Sequence, residues 1–231
     1  MITDRLKKIE ERIKLAAEAC GRRPEEIRLV AVSKTMPKEK LVEAVEAGVE
    51  TLGENYVQEA REKFNDLYTM PVSWHFIGHL QRNKAKYVVK IFDLIHSVDS
   101  LKLAREINKQ AQKINKIQDI LIQVNISEES TKSGARAEQT LEIIREISRL
   151  ENVAIKGLMT MPPFFNAPER VRPFFKALRE LRDRIKKKNM PNVSMDELSM
   201  GMTGDFEVAI QEGATLVRIG TAIFGKRNSA H

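Results

Sequence analysis

Apolar positions along this chain follow two alternating rhythms. Short runs rich in Val and Ile read as buried strands: 27–33 (IRLVAVS), 51–55 (TLGEN), 72–78 (VSWHFIG), 93–98 (DLIHSV), 119–126 (DILIQVNI), 154–160 (AIKGLMT), 197–200 (ELSM) and 215–220 (TLVRIG). Between them apolar residues recur at helical spacing, which predicts helices at about 38–47, 56–69, 81–90, 99–115, 136–150, 167–188 and 203–212. Residues 1–21 form a further amphipathic helix, with Leu6, Ile9, Ile13, Ala16, Ala17 and Cys20 on the face expected to pack on the rest of the fold.

Strands alternating with helices imply parallel strands with the helices outside. An open doubly wound sheet usually carries a glycine-rich phosphate turn after its first strand. Here that turn is SKTMPKE (33–39), which holds no glycine. Eight strand–helix repeats in ~200–250 residues match a closed barrel instead. The fold class read from the pattern is a (β/α)8 TIM barrel, one α/β domain over 1–231 with an extra N-terminal helix. Residues 160–173 (TMPPFFNAPERVRP) read as its longest strand-to-helix loop, not as a linker.

Composition narrows the setting. Hydrophobic residues make up 42% of 231, enough for a sizeable core, and the net charge of +7 gives only a mild pull on anions. The most basic stretch, RELRDRIKKKN (179–189), contains acids and no aromatics, so it reads as a solvated helix face and not a nucleic-acid surface. Cys20 is the only cysteine, which excludes an intrachain disulfide and, with four scattered histidines, a zinc site. Acids interrupt the N-terminal segment, unlike a signal peptide, and no apolar run is long enough to cross a membrane. The expectation is a soluble, cytoplasmic monomer.

Barrel chemistry collects at the C-terminal ends of the strands. Lys34 closes the first run, an ammonium at the tip of a buried strand. Glu54 and Asn55 close the second, His79 follows the third, His96 and Asp99 flank the end of the fourth, and Asn125 ends the fifth. Asn55 also reads as a helix cap, His79 as a surface loop residue and His96 as a structural histidine. The last two strand ends carry more. SMGMTGD offers Ser199, Gly201, Thr203 and Gly204 before a helix, and RIGTAIFG offers Gly220 and Thr221 in the same position. Small residues let backbone N–H groups approach an anion and hydroxyls add donors, so both read as phosphate-binding turns or as ordinary capped turns. Arg218 interrupts an otherwise apolar strand and requires partners, either a ligand or an acid on a neighbouring strand. In a closed barrel the last strand lies beside the first, so a phosphate cradle, Arg218 and Lys34 share one arc. A desolvated amine beside a cation is a better nucleophile toward a carbonyl, and a Schiff base to a phosphate-bearing aldehyde such as pyridoxal 5′-phosphate (PLP) suits all three.

The motifs AVSKTMP, LGENYVQE, WHFIGHLQRNK, IHSVDS, VNISEESTKSG, IKGLMTM, ELSMGMTGDFEVAI and GATLVRIGTAIFG occur in this order nearly end to end. In them the chain resembles the pyridoxal phosphate homeostasis proteins, whose domain is similar to the PLP-binding barrel of alanine racemases. The resemblance implies that Lys34 forms the Schiff base and that Arg218 bonds the pyridine nitrogen. It further implies that Ser199, Gly220 and Thr221 hold the phosphate with help from Gly201 and Thr203, and that Asn55 lies near the cofactor. Arginine at the ring nitrogen weakens the ring as an electron sink. A racemase of this kind takes its second base, a tyrosine, from an additional β-domain for which these 231 residues leave no room. The tyrosines here are Tyr56, Tyr68 and Tyr87, and only Tyr56 adjoins a strand end. The expected function is a PLP carrier or buffer without turnover that supplies apo PLP-dependent enzymes. The alternatives are a PLP-dependent racemase or decarboxylase using His79 or Tyr56 as second base and, ranked lower, a Schiff-base aldolase acting on a sugar phosphate.

Overall fold

A computed structural model describes residues 1–127 and 133–225. The central part of the VNISEESTKSG motif, 128–132, lies outside the described residues. The strands are β1 (Arg28–Val32), β2 (Thr51–Glu54), β3 (Ser73–Phe76), β4 (Leu94–Val98), β5 (Gln118–Asn125), β6 (Ala135–Arg136), β7 (Val153–Met159), β8 (Val193–Ser199) and β9 (Leu216–Ile219). All but β6 pair in parallel around a closed ring, β1-β2-β3-β4-β5-β7-β8-β9, which the β1–β9 ladder completes. The fold is therefore a (β/α)8 barrel.

The helices are α1 (Ile2–Ala19), α2 (Lys38–Glu46), α3 (Val57–Leu67), α4 (Ala85–Ile91), α5 (Leu101–Gln112), α6 (Ala137–Ile147), α7 (Arg172–Lys186), α8 (Phe206–Gln211) and α9 (Thr221–Phe224). The amphipathic spacing explains them. In α5, for example, Leu103, Ala104, Ile107 and Ala111 are buried while the Ser100 hydroxyl accepts from the Leu103 N–H to cap the first turn, a device worth about 1 kcal/mol. The apolar face of α1 buries Ile2, Leu6, Ile9, Ile13, Ala16 and Ala17, and the helix packs on α8 and α9. No helix among the described residues is long and apolar enough to cross a membrane.

Two elements escape the sequence pattern. Strand β8 starts at Val193, not at 197, because its first half is polar and Met195 takes a positive φ of 56° at a break in the β7–β8 register. That break presses the Glu197 carbonyl onto Gly157, where a Cβ would stand 1.8 Å from the oxygen. Strand β6 is two residues long and pairs with the end of β5. It follows Gly134, which has φ 131° and would place a Cβ 2.7 Å from the Asn125 nitrogen.

Strand alternation sorts the side chains into two sets. Ala31, Leu52, Trp74, Phe76, Ile95, Ile120 and Ile122 belong to the main core shared with the helices. Val30, Leu94, Leu121, Met159 and Leu216 form a separate cluster within the barrel. Two residues further along their strands, His96 and Arg218 continue that inner set towards the C-terminal mouth.

Candidate functional site

Strands β8, β9, β1 and β2 are consecutive neighbours in the ring, so their C-terminal ends form one arc. The Arg218 N–H donates to the Gly201 carbonyl at 3.0 Å, tying the end of β8 to β9. A Cβ on Gly220 would stand 3.1 Å from the Val32 carbonyl, so the end of β9 runs close against β1. The arc brings together the loop 201–204, Gly220 and Thr221, Lys34, and Asn55.

Arg218 is 4% exposed. Its Nη1 donates to Ser199 Oγ at 2.6 Å and its Nη2 reaches past β8 to the Thr160 carbonyl at 3.0 Å. Among the described residues it forms no ion pair, and its side chain is held by these two bonds. Burial pushes its pKa down to about 10, opposed weakly by Asp205, so the guanidinium still carries its charge at neutral pH. The ion pair with a neighbouring strand that would make Arg218 purely structural is thus missing among the described residues. A buried cation without a counter-charge is costly to keep, and an acceptor ligand relieves that cost.

Below Arg218 a file of polar side chains crosses the barrel. Ser199 Oγ lies 2.8 Å from His96 Nδ1, and His96 Nε2 lies 3.0 Å from His75 Nδ1. Burial holds both imidazoles neutral: it pushes His75 down to about 4, with help from the Arg28 charge, and His96 well below the usual histidine range, with help from His75 and Arg218. Two neutral imidazoles admit two tautomer patterns. With hydrogen on His96 Nε2, the Ser199 proton goes to His96. With hydrogen on His96 Nδ1, Ser199 accepts from both neighbours and its own proton is left for a ligand. His96 is therefore the buried structural histidine that its strand position suggested, and it acts on Ser199.

The small-residue turns supply backbone donors. The N–H groups of Gly201, Thr203 and Gly204, and those of Thr221 and Ala222 at the start of α9, have no backbone acceptor among the described residues. Gly201 has φ 91° and its Cβ would fall 2.6 Å from that of Ala209, so only glycine lets the loop turn this closely onto α8. Gly204 is open, with no atom within 4 Å of where its Cβ would stand. Met202 N–H is taken by Asp205 Oδ1 at 2.6 Å.

Lys34 is half-buried in the turn after β1, and the following Thr35 has φ 63°, a left-handed conformation that β-branched residues resist. Asn55 does not cap α3: Tyr56 holds the cap position, without a side-chain bond. Asn55 Oδ1 is instead buried with no partner among the described residues, and its backbone lies against Gly78, where a Cβ would be 2.1 Å from the Asn55 carbonyl. Tyr56 is 56% exposed. His79 is exposed and lines a separate cleft with Gln81, Asp99 and Ser100. His75 and the Thr160 carbonyl join the site without having been expected there from the sequence. A polar residue in the middle of VSWHFIG was a usable signal for the first, whereas a backbone acceptor leaves no sequence signal.

The family model for the alanine racemase N-terminal domain matches residues 5–228. A pyridoxal phosphate homeostasis protein of Aquifex aeolicus is 48% identical over 97% of each chain. The chain belongs to the pyridoxal phosphate homeostasis protein family. The member from Escherichia coli K12 is 41% identical over 98% of this chain and 97% of its own. PipY of Synechococcus elongatus, a structure solved with PLP bound, superposes with a TM-score of 0.85 at 33% identity, covering 97% of this chain and 100% of PipY. An alanine racemase of Clostridium difficile shares the fold, with a TM-score of 0.74 at 18% identity over 98% of this chain and 58% of its own. These homeostasis-protein relatives are matched along nearly their whole length, whereas the racemase extends well beyond the shared barrel.

Proposed function

We propose that this chain binds pyridoxal 5′-phosphate and acts in its homeostasis, holding the cofactor in a single-domain barrel and releasing it to apo PLP-dependent enzymes without turnover of its own. The observation that carries the reading is Arg218: a charged, buried guanidinium on the inner wall, lacking a carboxylate partner among the described residues, on the strand beside the one whose following turn holds Lys34. The relatives carry this function in their names, and PipY was solved with PLP bound.

The residues present suit the group. When bound, PLP supplies an aldehyde that an amine captures and a ring that draws electrons from the captured carbon. Lys34 is the amine at the mouth. Arg218 can only donate, so it suits an unprotonated ring nitrogen, which keeps the electron draw weak. The free N–H groups of Gly201, Thr203 and Thr221, the closely packed Gly220 and the hydroxyls of Thr203 and Thr221 suit a phosphate. Ser199 joins them in the tautomer that frees its proton. Asn55 Oδ1, buried and unmatched among the described residues, suits a donor on the ligand.

A racemase or decarboxylase would need a second acid or base over the ring. Tyr56, exposed at the start of α3, and His79, in a different cleft, make no bond among the described residues that would hold either one there. The reading therefore assigns binding, not catalysis, to a cytoplasmic monomer. Incubating the loaded protein with single amino acids in deuterated water is expected to give Cα exchange no faster than free PLP. Mixing it with an apo PLP enzyme is expected to restore that enzyme's activity. Exchange well above free PLP would replace the carrier by an enzyme.

A further inference from the structure

The turn that carries Lys34 is held on both sides by one charged cluster outside the barrel wall. Lys63 on α3 is buried, and its Nζ donates to the Ser33 carbonyl at 2.7 Å, to Glu54 Oε1 at 2.7 Å and to Glu59 Oε1 at 2.6 Å. Those three bonds use every N–H of the ammonium. The Ser33 hydroxyl donates to the same Glu54 oxygen at 2.7 Å, and the Ser33 N–H goes to the Gly53 carbonyl at 3.0 Å. On the far side of Lys34, the Thr35 N–H donates to Glu59 Oε1 at 2.5 Å. Glu59 and Lys63 stand one helical turn apart on α3, so a single helix face grips the residue before Lys34 and the residue after it.

Stability alone does not account for this cluster. Apolar side chains of similar volume pack under a helix at least as well as a buried ion pair. Burial pushes the Glu54 carboxyl above its ordinary range even beside Lys63, and its Oε2 has no partner among the described residues. What the charges do, and an apolar cluster cannot, is bond the backbone of the turn. Charge-assisted bonds hold the Ser33 carbonyl and the Thr35 N–H towards α3, and the second of these keeps Thr35 at φ 63°. Both backbone neighbours of Lys34 are thus anchored to α3, which restrains the turn that carries its side chain.

We infer that Glu59 and Lys63 are positioning residues for Lys34, fixing the turn that aims its amine and so setting how fast that amine captures an aldehyde, without touching the ligand. The inference rests on the PLP reading above. Misplacing a reacting group by about 1 Å can cost about 100-fold in rate, so a loosened turn should affect capture far more than binding.

The test compares wild type with Glu59→Ala, Glu59→Gln, Lys63→Met and Lys63→Arg. Capture is followed as a time course of borohydride-trapped mass on Lys34 after PLP is added. Ligand binding is followed separately with pyridoxamine 5′-phosphate, which has the ring and the phosphate but no aldehyde. Glu59→Ala and Lys63→Met are expected to slow capture about tenfold or more and to leave pyridoxamine phosphate affinity within about twofold. Glu59→Gln, which keeps an acceptor for Thr35, and Lys63→Arg are expected to recover most of the rate. Should Lys63→Met not fold, the Glu59 variants carry the test, because the Glu59 side chain is 24% exposed and less integral to the core. Unchanged capture in Glu59→Ala, or a parallel loss of capture and of pyridoxamine phosphate binding, overturns the inference while leaving the PLP reading intact. A wild-type chain that takes no label on Lys34 refutes the PLP reading, and the inference with it.

Discussion

Arg218 Nη1 lies 2.6 Å from Ser199 Oγ, and this bond joins the site at the barrel mouth to the neutral histidine pair below it. The guanidinium is held by a hydroxyl and a carbonyl, with no carboxylate among the described residues. It follows that Arg218 is kept at a cost to the fold. Arg218→Met, which preserves volume and removes the buried charge, is expected to leave the ligand-free protein as stable as wild type or up to about 1 kcal/mol more so, while weakening PLP binding. Urea unfolding and a PLP titration check the two halves; a loss of several kcal/mol without PLP would mean that Arg218 is a structural residue.

Arg218→Glu reverses the chemistry at the same place. A carboxylate there can hold a proton on the ring nitrogen, so the visible absorption band of the loaded protein is expected to shift. An unchanged spectrum would show that Arg218 does not face the ring.

The buried histidines make stability sensitive to acid. In the unfolded chain an imidazole takes up its proton near pH 6.5, but His75 in the fold does so only at about 4. Protons therefore favour the unfolded chain. Stability is complete above pH 6.5 and is lost as pH falls towards 4, by up to roughly 3 kcal/mol for this one group. His96, also held below its ordinary value, adds in the same direction. Urea melts at pH 7.0, 5.5 and 4.5 are expected to show this decline, and His75→Gln to flatten it.

Gly157 tests the β7–β8 bulge. An alanine Cβ would meet the Glu197 carbonyl at 1.8 Å, and that backbone has no flexible end to move. Gly157→Ala is expected to lower the unfolding free energy by about 3 kcal/mol or more. A loss within 0.5 kcal/mol would mean that the two strands separate easily at this point.

Much of this was legible in the chain. The alternation of Val- and Ile-rich runs with helical spacing revealed the closed barrel, because parallel strands covered on both faces must be apolar throughout. Strand ends singled out Lys34, Asn55, Arg218 and the two small-residue turns as candidates, since polar groups stand out against such runs. The first half of β8 stayed hidden because a bulge at Met195 breaks its period. The grip of Glu59 and Lys63 on the Lys34 turn was equally invisible. Neither stands out in the charged sequence of α3, and only the bonds from that helix to Ser33 and Glu54 show that Lys63 is buried and tied to the backbone.

Covalent attachment depends on the Lys34 amine. Lys34→Ala is expected to abolish covalent attachment while the phosphate turns and Arg218 retain weaker, reversible binding, seen as PLP that dialysis removes.

The most direct measurement is the visible absorbance of the purified protein with added PLP, followed by borohydride reduction and peptide mass mapping. A yellow protein whose pyridoxyl adduct maps to Lys34 is expected. A colourless protein that takes up no PLP, or an adduct confined to other lysines, would contradict it.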